Sequence, residues 1–245
     1  MSRFFITPEQ FDSHKPIITG PDVKHMTKVL RLRTGDAIDL LDGTGRGANA
    51  VIEHIGKDEV HCQKVGPFTP GGEPPVDVIL VQGLAKGDKM DLIIQKSTEL
   101  GVSGIIPLIS QRTVVRVEQD RVSGKHSRWQ RVAMEAAKQC RRARIPVVYS
   151  PCNLGEVLKK IPPDGFSLLP WEGERIVPLK RALPEDSPGK VYLFIGPEGG
   201  FEASEVEEAA NHGVVSVSLG PRILRTETAG MTCLSILMHK YGDLG

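Results

Sequence analysis

Residues 191–231, VYLFIGPEGGFEASEVEEAANHGVVSVSLGPRILRTETAGM, decide how the chain is read. Two apolar runs in this stretch end in the same kind of turn, Ile195-Gly196-Pro197-Glu198 and Leu219-Gly220-Pro221-Arg222. A short apolar run cut off by Gly-Pro reads as a buried strand that stops abruptly in a loop. In open α/β sheets, ligands bind outside the carboxyl ends of such strands. Two matching loops therefore predict one pocket walled from two sides. Glycine lets backbone approach a ligand closely, and Leu169, Ile195, Leu219 and Leu224 would offer apolar faces. That chemistry suits a neutral adenine better than a polyphosphate.

Outward from this stretch, strands and helices alternate. Strand-like runs fall at residues 76–81, 104–109, 147–149, 166–169, 191–195 and 214–219. A helix is expected from Asp88, its cap, to Leu100, closed by Gly101. Another runs from Ser127 to about Arg142, with Trp129, Val132, Ala133, Ala136 and Cys140 on one side. Arg128, Arg131, Glu135, Lys138 and Arg142 would share its opposite face. Asn153 with Glu156, and Ser204 with Glu207, read as capping boxes of two further helices. Thr226 is the expected cap of the last helix, which runs to Tyr241 and is apolar on most sides, so it should be buried within the domain or against another subunit. The alternation implies a mainly parallel sheet covered on both faces.

The first seventy residues read differently. Short β-like runs at 4–6, 37–41, 50–52 and 60–62 are separated by turn residues, with one helical segment from Asp22, its cap, to Leu32. Asp42-Gly43-Thr44-Gly45-Arg46-Gly47 superficially resembles a dinucleotide loop, but strand-like sequence comes after it where such a loop must open a helix. This is a small, mostly β, barrel-like domain. Residues 66–75, GPFTPGGEPP, carry too much Pro and Gly for helix or central strand and read as a linker. The division is placed at 72/73.

The chain of 245 residues has ordinary hydrophobic (40%) and charged (25%) fractions and a formal net charge of +1, so the total charge names no partner. Between Arg121 and Arg144, however, Arg121, Lys125, Arg128, Arg131, Lys138, Arg141, Arg142 and Arg144 are opposed only by Glu135. Such a tract reads equally as a phosphate footprint or as a solvated helix face. Cys62, Cys140, Cys152 and Cys233 are scattered, without metal-ligand spacing, so no metal and a reducing, cytoplasmic setting are expected. No apolar run approaches membrane-spanning length, and no leader is recognised. The P-loop, the nucleophile elbow, a Cys–His pair and a close Asp pair are all missing from the sequence.

FIGPEGGFEASEVEEA followed by VSLGPRILRTETA resembles the carboxyl-terminal signature of RsmE-type 16S ribosomal RNA uridine-N3 methyltransferases, within the SPOUT superfamily. RFF at the start and HMTKVLRLRTGD resemble that family's PUA-like domain. KSTELGV, SQRTVVR and RWQRVAMEAAKQCRRARIP resemble its middle segments, except that Lys138 stands where an acidic residue is common. The resemblance implies a PUA-like RNA-binding β-barrel domain at 1–72 and an α/β SPOUT methyltransferase domain at 73–245. It implies a carboxyl-terminal trefoil knot, against the general rule that chains are unknotted, and a homodimer. It also implies S-adenosylmethionine held by Leu169 and Pro170, by Ile195, Gly196, Pro197, Glu198, Gly199 and Gly200, and by Leu219, Gly220, Ile223 and Leu224. Substrate RNA would meet Arg3, Arg31 and Arg33, with Arg112, Arg142, Lys86 and Lys96 extending the track. A guanidinium near a uracil N3 stabilises the charge that develops on the flanking carbonyls, and Arg225 is the candidate. Glu198 is the candidate proton acceptor or the residue that holds Arg225; a carboxylate favoured by a helix N-terminus is an equal alternative. Modification of another atom, such as a ribose 2′-hydroxyl, and an RNA-binding assembly factor without turnover are the competing readings.

Overall fold

The computed structural model describes residues 2–113, 119–162 and 165–245, with side chains from residue 124 onward in the helix that begins at Gln119. Val114, Val115 and Arg116 of the SQRTVVR segment, and the Arg121 side chain of the basic tract, lie outside the described residues. Two compact units are present: residues 1–73 with 137–145, and residues 74–136 with 146–245. The division expected at 72/73 therefore misses one excursion, since residues 137–145 belong with the first unit.

The first unit holds β1 (Ser2–Phe5), α1 (Pro8–Asp12), β2 (Ile17–Thr19) and α2 (Pro21–Lys24), which continues into a π-helical turn His25–Val29; then come β3 (Ala37–Leu41), β4 (Gly47–Ile55) and β5 (Glu59–Phe68). The strand order is β1-β3-β4-β5-β2. β1 runs parallel to β3 and the remaining pairs are antiparallel. Among the described residues no β1–β2 pairing closes this sheet into a barrel. Its core gathers Phe4, Ile18, Val23, Met26, Ile38, Leu40, Ile52 and Val60.

Two local expectations change here, and a third holds. Gly66, Pro67 and Phe68 are the end of β5, paired with Asn49, Ala48 and Gly47, so the linker is shorter than its composition suggests. Asp22 is not a cap: Gly20 occupies that position, and the Asp22 carboxylate takes the Lys138 ammonium at 3.1 Å. The loop after β3 is pinned by Asp42, 5% exposed, which accepts from the Thr44 and Arg46 N–H groups at 2.8 and 3.1 Å. It leads into β4, as a hairpin must.

The second unit contains β6 (Asp77–Gly83), α3 (Lys89–Glu99), β7 (Gly104–Ile109), most of α4 (Gln119–Gln139), β8 (Val147–Val148), β9 (Cys152–Asn153), α5 (Leu154–Leu158), β10 (Phe166–Pro170), α6 (Leu179–Ala182), β11 (Lys190–Ile195), α7 (Ala203–Asn211), β12 (Val215–Val217) and α8 (Thr226–Tyr241). All its strand pairs are parallel, in the order β12-β10-β11-β6-β7-β8, with β9 also beside β7. The central strands are buried on both faces: Val78, Leu80, Val81, Leu193 and Phe194 are all at 0% exposure. This is why they read as continuous apolar runs instead of alternating ones.

β11 lies between β6 and β10, so the carboxyl ends of an early and a late strand become neighbours. α8 packs against α3, β6 and β11. Cys233, Leu234, Leu237 and Met238 of α8 are fully buried, while Ile236 remains 38% exposed. Among the described residues no helix is long and apolar enough to cross a membrane.

Candidate active site

The carboxyl ends of β10, β11 and β12 open onto two adjoining cavities in the second unit. One, of about 350 Å³, is lined by Lys89, Glu172, residues 195–201, Arg225 and Thr226. The other, of about 180 Å³, is lined by Trp171, Glu174, Arg175 and residues 218–222. Pro170, Glu172, Ile223, Leu224 and Ala229 belong to both walls, so these are two lobes of one cleft. Of the expected cofactor residues, Pro170, Ile195, Gly196, Pro197, Glu198, Gly199, Gly200, Leu219, Gly220, Ile223 and Leu224 all face it. Leu169 does not: at 1% exposure it sits in the core cluster beneath the floor.

The 196–200 turn is shaped by its surroundings. A Cβ on Gly83, at the end of β6, would lie 2.3 Å from the Pro197 nitrogen, so only glycine permits this approach. Gly200 adopts φ +71°. Thr226, expected to cap α8, instead occupies its first turn, and Arg225 holds the cap position. The Thr226 hydroxyl donates to the Gly196 carbonyl at 2.6 Å and accepts from the Gln82 amide at 2.8 Å. Gln82 is fully buried, so this chain of bonds fastens α8 to the ends of β6 and β11.

Glu198 has partners other than Arg225. Its Oε1 accepts the Lys86 N–H at 3.1 Å and lies 3.3 Å from the Lys89 ammonium, which also reaches Glu227 at 3.5 Å. Partial burial pushes the Glu198 carboxyl up, but the Lys86 N–H and Lys89 outweigh it and hold the group below its ordinary value of 4.5. Among the described residues no bond joins Glu198 to Arg225. The helix-terminus alternative also changes, because Glu202 is the cap of α7, in a capping box with Glu205 instead of the expected Ser204–Glu207 pair. Arg225 lines the cleft, is exposed, and makes no ion pair among the described residues.

Lys89, Trp171, Glu172 and Thr226 face the cleft without having been expected there. Trp171 and Glu172 were legible in principle, since they come directly after the proline that ends β10. Lys89 was hidden behind Asp88, whose predicted capping bond is not made; the Asp88 carboxylate instead meets Arg128 at 3.3 Å. The Asn153–Glu156 capping box forms as read.

The basic residues divide into bound and free. Arg142 is the clearest correction: at 5% exposure its guanidinium bonds the Glu73 carboxylate at 2.8 Å, and the other oxygen of Glu73 takes the Ala143 and Arg144 N–H groups, each at 2.8 Å. α4 ends at Gln139, so Arg142 is off the helix face assigned to it. Arg128 is paired with Asp91 at 2.5 Å, Lys138 with Asp22, and Lys96 with Glu99 at 2.9 Å. Three cations of the tract, Arg128, Lys138 and Arg142, are thus paired with acids distant in sequence. Arg112 is bidentate to Glu202, at 2.6 and 3.0 Å, and donates to the Gly199 carbonyl at 2.8 Å. Arg3 donates to the Arg141 carbonyl at 2.9 Å and lies 3.7 Å from Asp39. Arg31 and Arg33 are exposed in the first unit and Lys86 in the second. Arg31 adopts φ +55°, which is uncommon for a residue with a side chain.

A family model for an RNA methyltransferase domain matches residues 72–238, and one for an RNA methyltransferase PUA domain matches residues 18–65. The chain is 34% identical to the ribosomal RNA small subunit methyltransferase E of Bacillus subtilis, across 98% of this chain and 97% of that protein. It is 33% identical to the protein of that name from Mycobacterium tuberculosis, across 89% and 84%. The structure of ribosomal RNA small subunit methyltransferase E from Neisseria gonorrhoeae, bound to S-adenosyl methionine, matches with a TM-score of 0.87 at 32% identity, covering 100% of both chains. Matched in both domains and over nearly its whole length, the chain belongs to the family of the small subunit ribosomal RNA methyltransferases E.

Proposed function

We propose that this protein methylates N3 of a uridine in 16S ribosomal RNA, with S-adenosylmethionine as the methyl donor. The observation that carries this reading is the two-lobed cleft beside Arg225, which makes no ion pair among the described residues. The larger lobe is within the range of roughly 300–1,000 Å³ usual for small-molecule sites. The walls of the cleft fit the donor's chemistry: glycine backbone at 196–200 and 220, apolar Ile195, Leu219, Ile223 and Leu224, and cations (Lys89, Arg175, Arg222 and Arg225) interspersed with the carboxylates Glu172, Glu174 and Glu198. The donor, when bound, supplies a methyl group activated by its sulfonium.

The protein's own part is to position and to manage charge. The N3 proton of uracil must leave before the nitrogen lone pair is free, which puts negative charge on the two flanking carbonyl oxygens. Arg225, which has no carboxylate partner among the described residues, stabilises that charge and lowers the N3–H pKa, so that the proton can pass to water. Lys86 and Lys89 already occupy Glu198, so its task in this reading is to hold the 196–200 turn. Arg31, Arg33 and Lys86 are the exposed cations available for phosphate.

Two finer features belong to the same reading. The placement of β11 between β6 and β10, with α8 fastened to both early and late strands through Thr226 and Gln82, supports a carboxyl-terminal trefoil knot. Exposed Leu92 (41%) and Ile236 (38%), on the mutually packed α3 and α8, support a homodimer. Four free cysteines fit a cytoplasmic protein.

Mass spectrometry of small-subunit rRNA incubated with donor and either wild type or Arg225→Ala tests the activity. N3-methyluridine from wild type is expected, with kcat lowered about 10²–10³-fold in the variant, the scale of losing one charge-stabilising donor. A product resistant to alkaline cleavage at the modified nucleotide would mean ribose methylation and overturn the N3 assignment. Equal turnover by both proteins would remove Arg225 from the mechanism.

A further inference from the structure

Arg112 was expected to touch RNA, yet its guanidinium is turned along the protein surface toward the 199–202 backbone. Nε and Nη2 grip the two oxygens of Glu202, and Nη1 donates to the carbonyl of Gly199. Its stem is engaged as well: a Cβ added to Gly199 would come within 3.1 Å of the Arg112 Cβ, so the glycine backbone lies directly on the arginine side chain. The neighbouring residues reinforce the grip. Gln111 donates its N–H to Glu205 at 3.0 Å, and Glu205, 2% exposed, takes the Glu202 N–H with its other oxygen at 3.0 Å. Ser110 and Thr113 close the segment on itself, the Ser110 N–H donating to the Thr113 hydroxyl at 2.9 Å and the Thr113 N–H to the Ser110 carbonyl at 3.0 Å.

Residues 110–113, which leave the carboxyl end of β7, therefore form a bracket behind the cleft. On its far side stand Gly199 and Gly200, whose backbone lines the larger lobe. We propose that Arg112 is a positioning residue for the methyl donor, clamping the Gly199 carbonyl and Glu202 so that the 196–200 backbone keeps the shape the donor requires. The proposal rests on the donor reading above and deepens it. A planar guanidinium satisfies three acceptors in fixed directions, whereas an ammonium is a point charge without that fork. Lysine is therefore a poor substitute at this position even though the charge is kept.

The test uses the full chain and its Arg112→Ala, Arg112→Lys and Glu202→Gln variants. Calorimetry with S-adenosylmethionine alone is expected to show Kd raised about tenfold in Arg112→Ala, nearly as much in Arg112→Lys, and less in Glu202→Gln, which keeps one acceptor. Amide exchange without donor is expected to quicken at Gly199 and Gly200 in Arg112→Ala and to stay unchanged at Gly220. KM for rRNA should remain within about twofold of wild type. An unchanged donor Kd with a raised rRNA KM would overturn the proposal and return Arg112 to the RNA surface. Restoration of donor binding by lysine would overturn the bidentate clamp. Wild-type protein that fails to bind the donor would refute the functional reading itself, a result distinct from either of these.

Discussion

The two Gly-Pro turns look alike in sequence and are held in opposite ways. The first, at 195–200, is fixed from several directions: Thr226 on the Gly196 carbonyl at 2.6 Å, Lys86 and Lys89 on Glu198, Arg112 on the Gly199 carbonyl, and β6 pressed against Pro197 at Gly83. The second, at 219–223, stands open. A Cβ on Gly220 would meet nothing within 4 Å, its N–H reaches only the Ser218 hydroxyl at 3.3 Å, and Ile223 is 86% exposed. A sequence echo thus tells where strands stop and says little about the stiffness of the loops beyond them. Stiffness comes from neighbours that arrive from elsewhere in the chain. The first turn is braced from several sides, and the second has few such braces.

The contrast between the turns breaks hardest at Gly83. Gly83→Ala drives a methyl group into the Pro197 backbone, and overpacking of this kind costs about 1–3 kcal/mol. Urea unfolding should show that loss, and donor affinity should fall with it; a change below about 0.5 kcal/mol would mean that the first turn yields easily. A second, smaller difference is expected in acid. Glu198 and Glu202 are both held below their ordinary 4.5, the first by Lys86 and Lys89 against burial, the second by Arg112. Lowered carboxyls contribute stability above the ordinary value and lose it as pH falls through their folded values. Amide exchange measured downward from pH 5, corrected for intrinsic rates, should therefore release Gly199 and Gly200 more than Gly220, which has only the lowered Glu174 nearby, acting through Ser216 and Val177. Equal release at both turns would erase the distinction. The mildest effect belongs to Ile223→Ser: stability within about ±0.5 kcal/mol, as for other exposed sites, with donor affinity reduced a few-fold in calorimetry. A marked fall in stability there would show that the second turn is held after all.

Much of this was legible because burial writes itself locally. Runs such as Val78 to Val81 and Val191 to Ile195 are apolar without alternation since helices cover both faces, and the ends of the Asn153–Glu156 box are only three positions apart. The unread parts depend on distant partners. Nothing near Arg142 announces that Glu73 will bury it, and nothing near Lys138 announces Asp22. The strand order escaped for the same reason, as β11 could have been added outside β10 with an identical local pattern. Ser204 outranked Glu202 as a cap by intrinsic preference, yet Glu202 is already steadied by Arg112 and carries a charge that suits a helix N-terminus. Thr226 is not the cap because the helix already begins at it, and its hydroxyl joins Gly196 to Gln82 instead; one oxygen of Glu198 meets Lys86 and Lys89, partners that the sequence near it does not announce.

The bond between Gln82 and Thr226 joins positions 144 residues apart. During synthesis the chain emerges amino end first, so β6 waits for almost the whole protein before its partner exists. Every lobe of the cleft takes a wall from residues beyond 218. A chain cut short before that point lacks these walls and also the buried side chains of α8, so it offers no completed cleft.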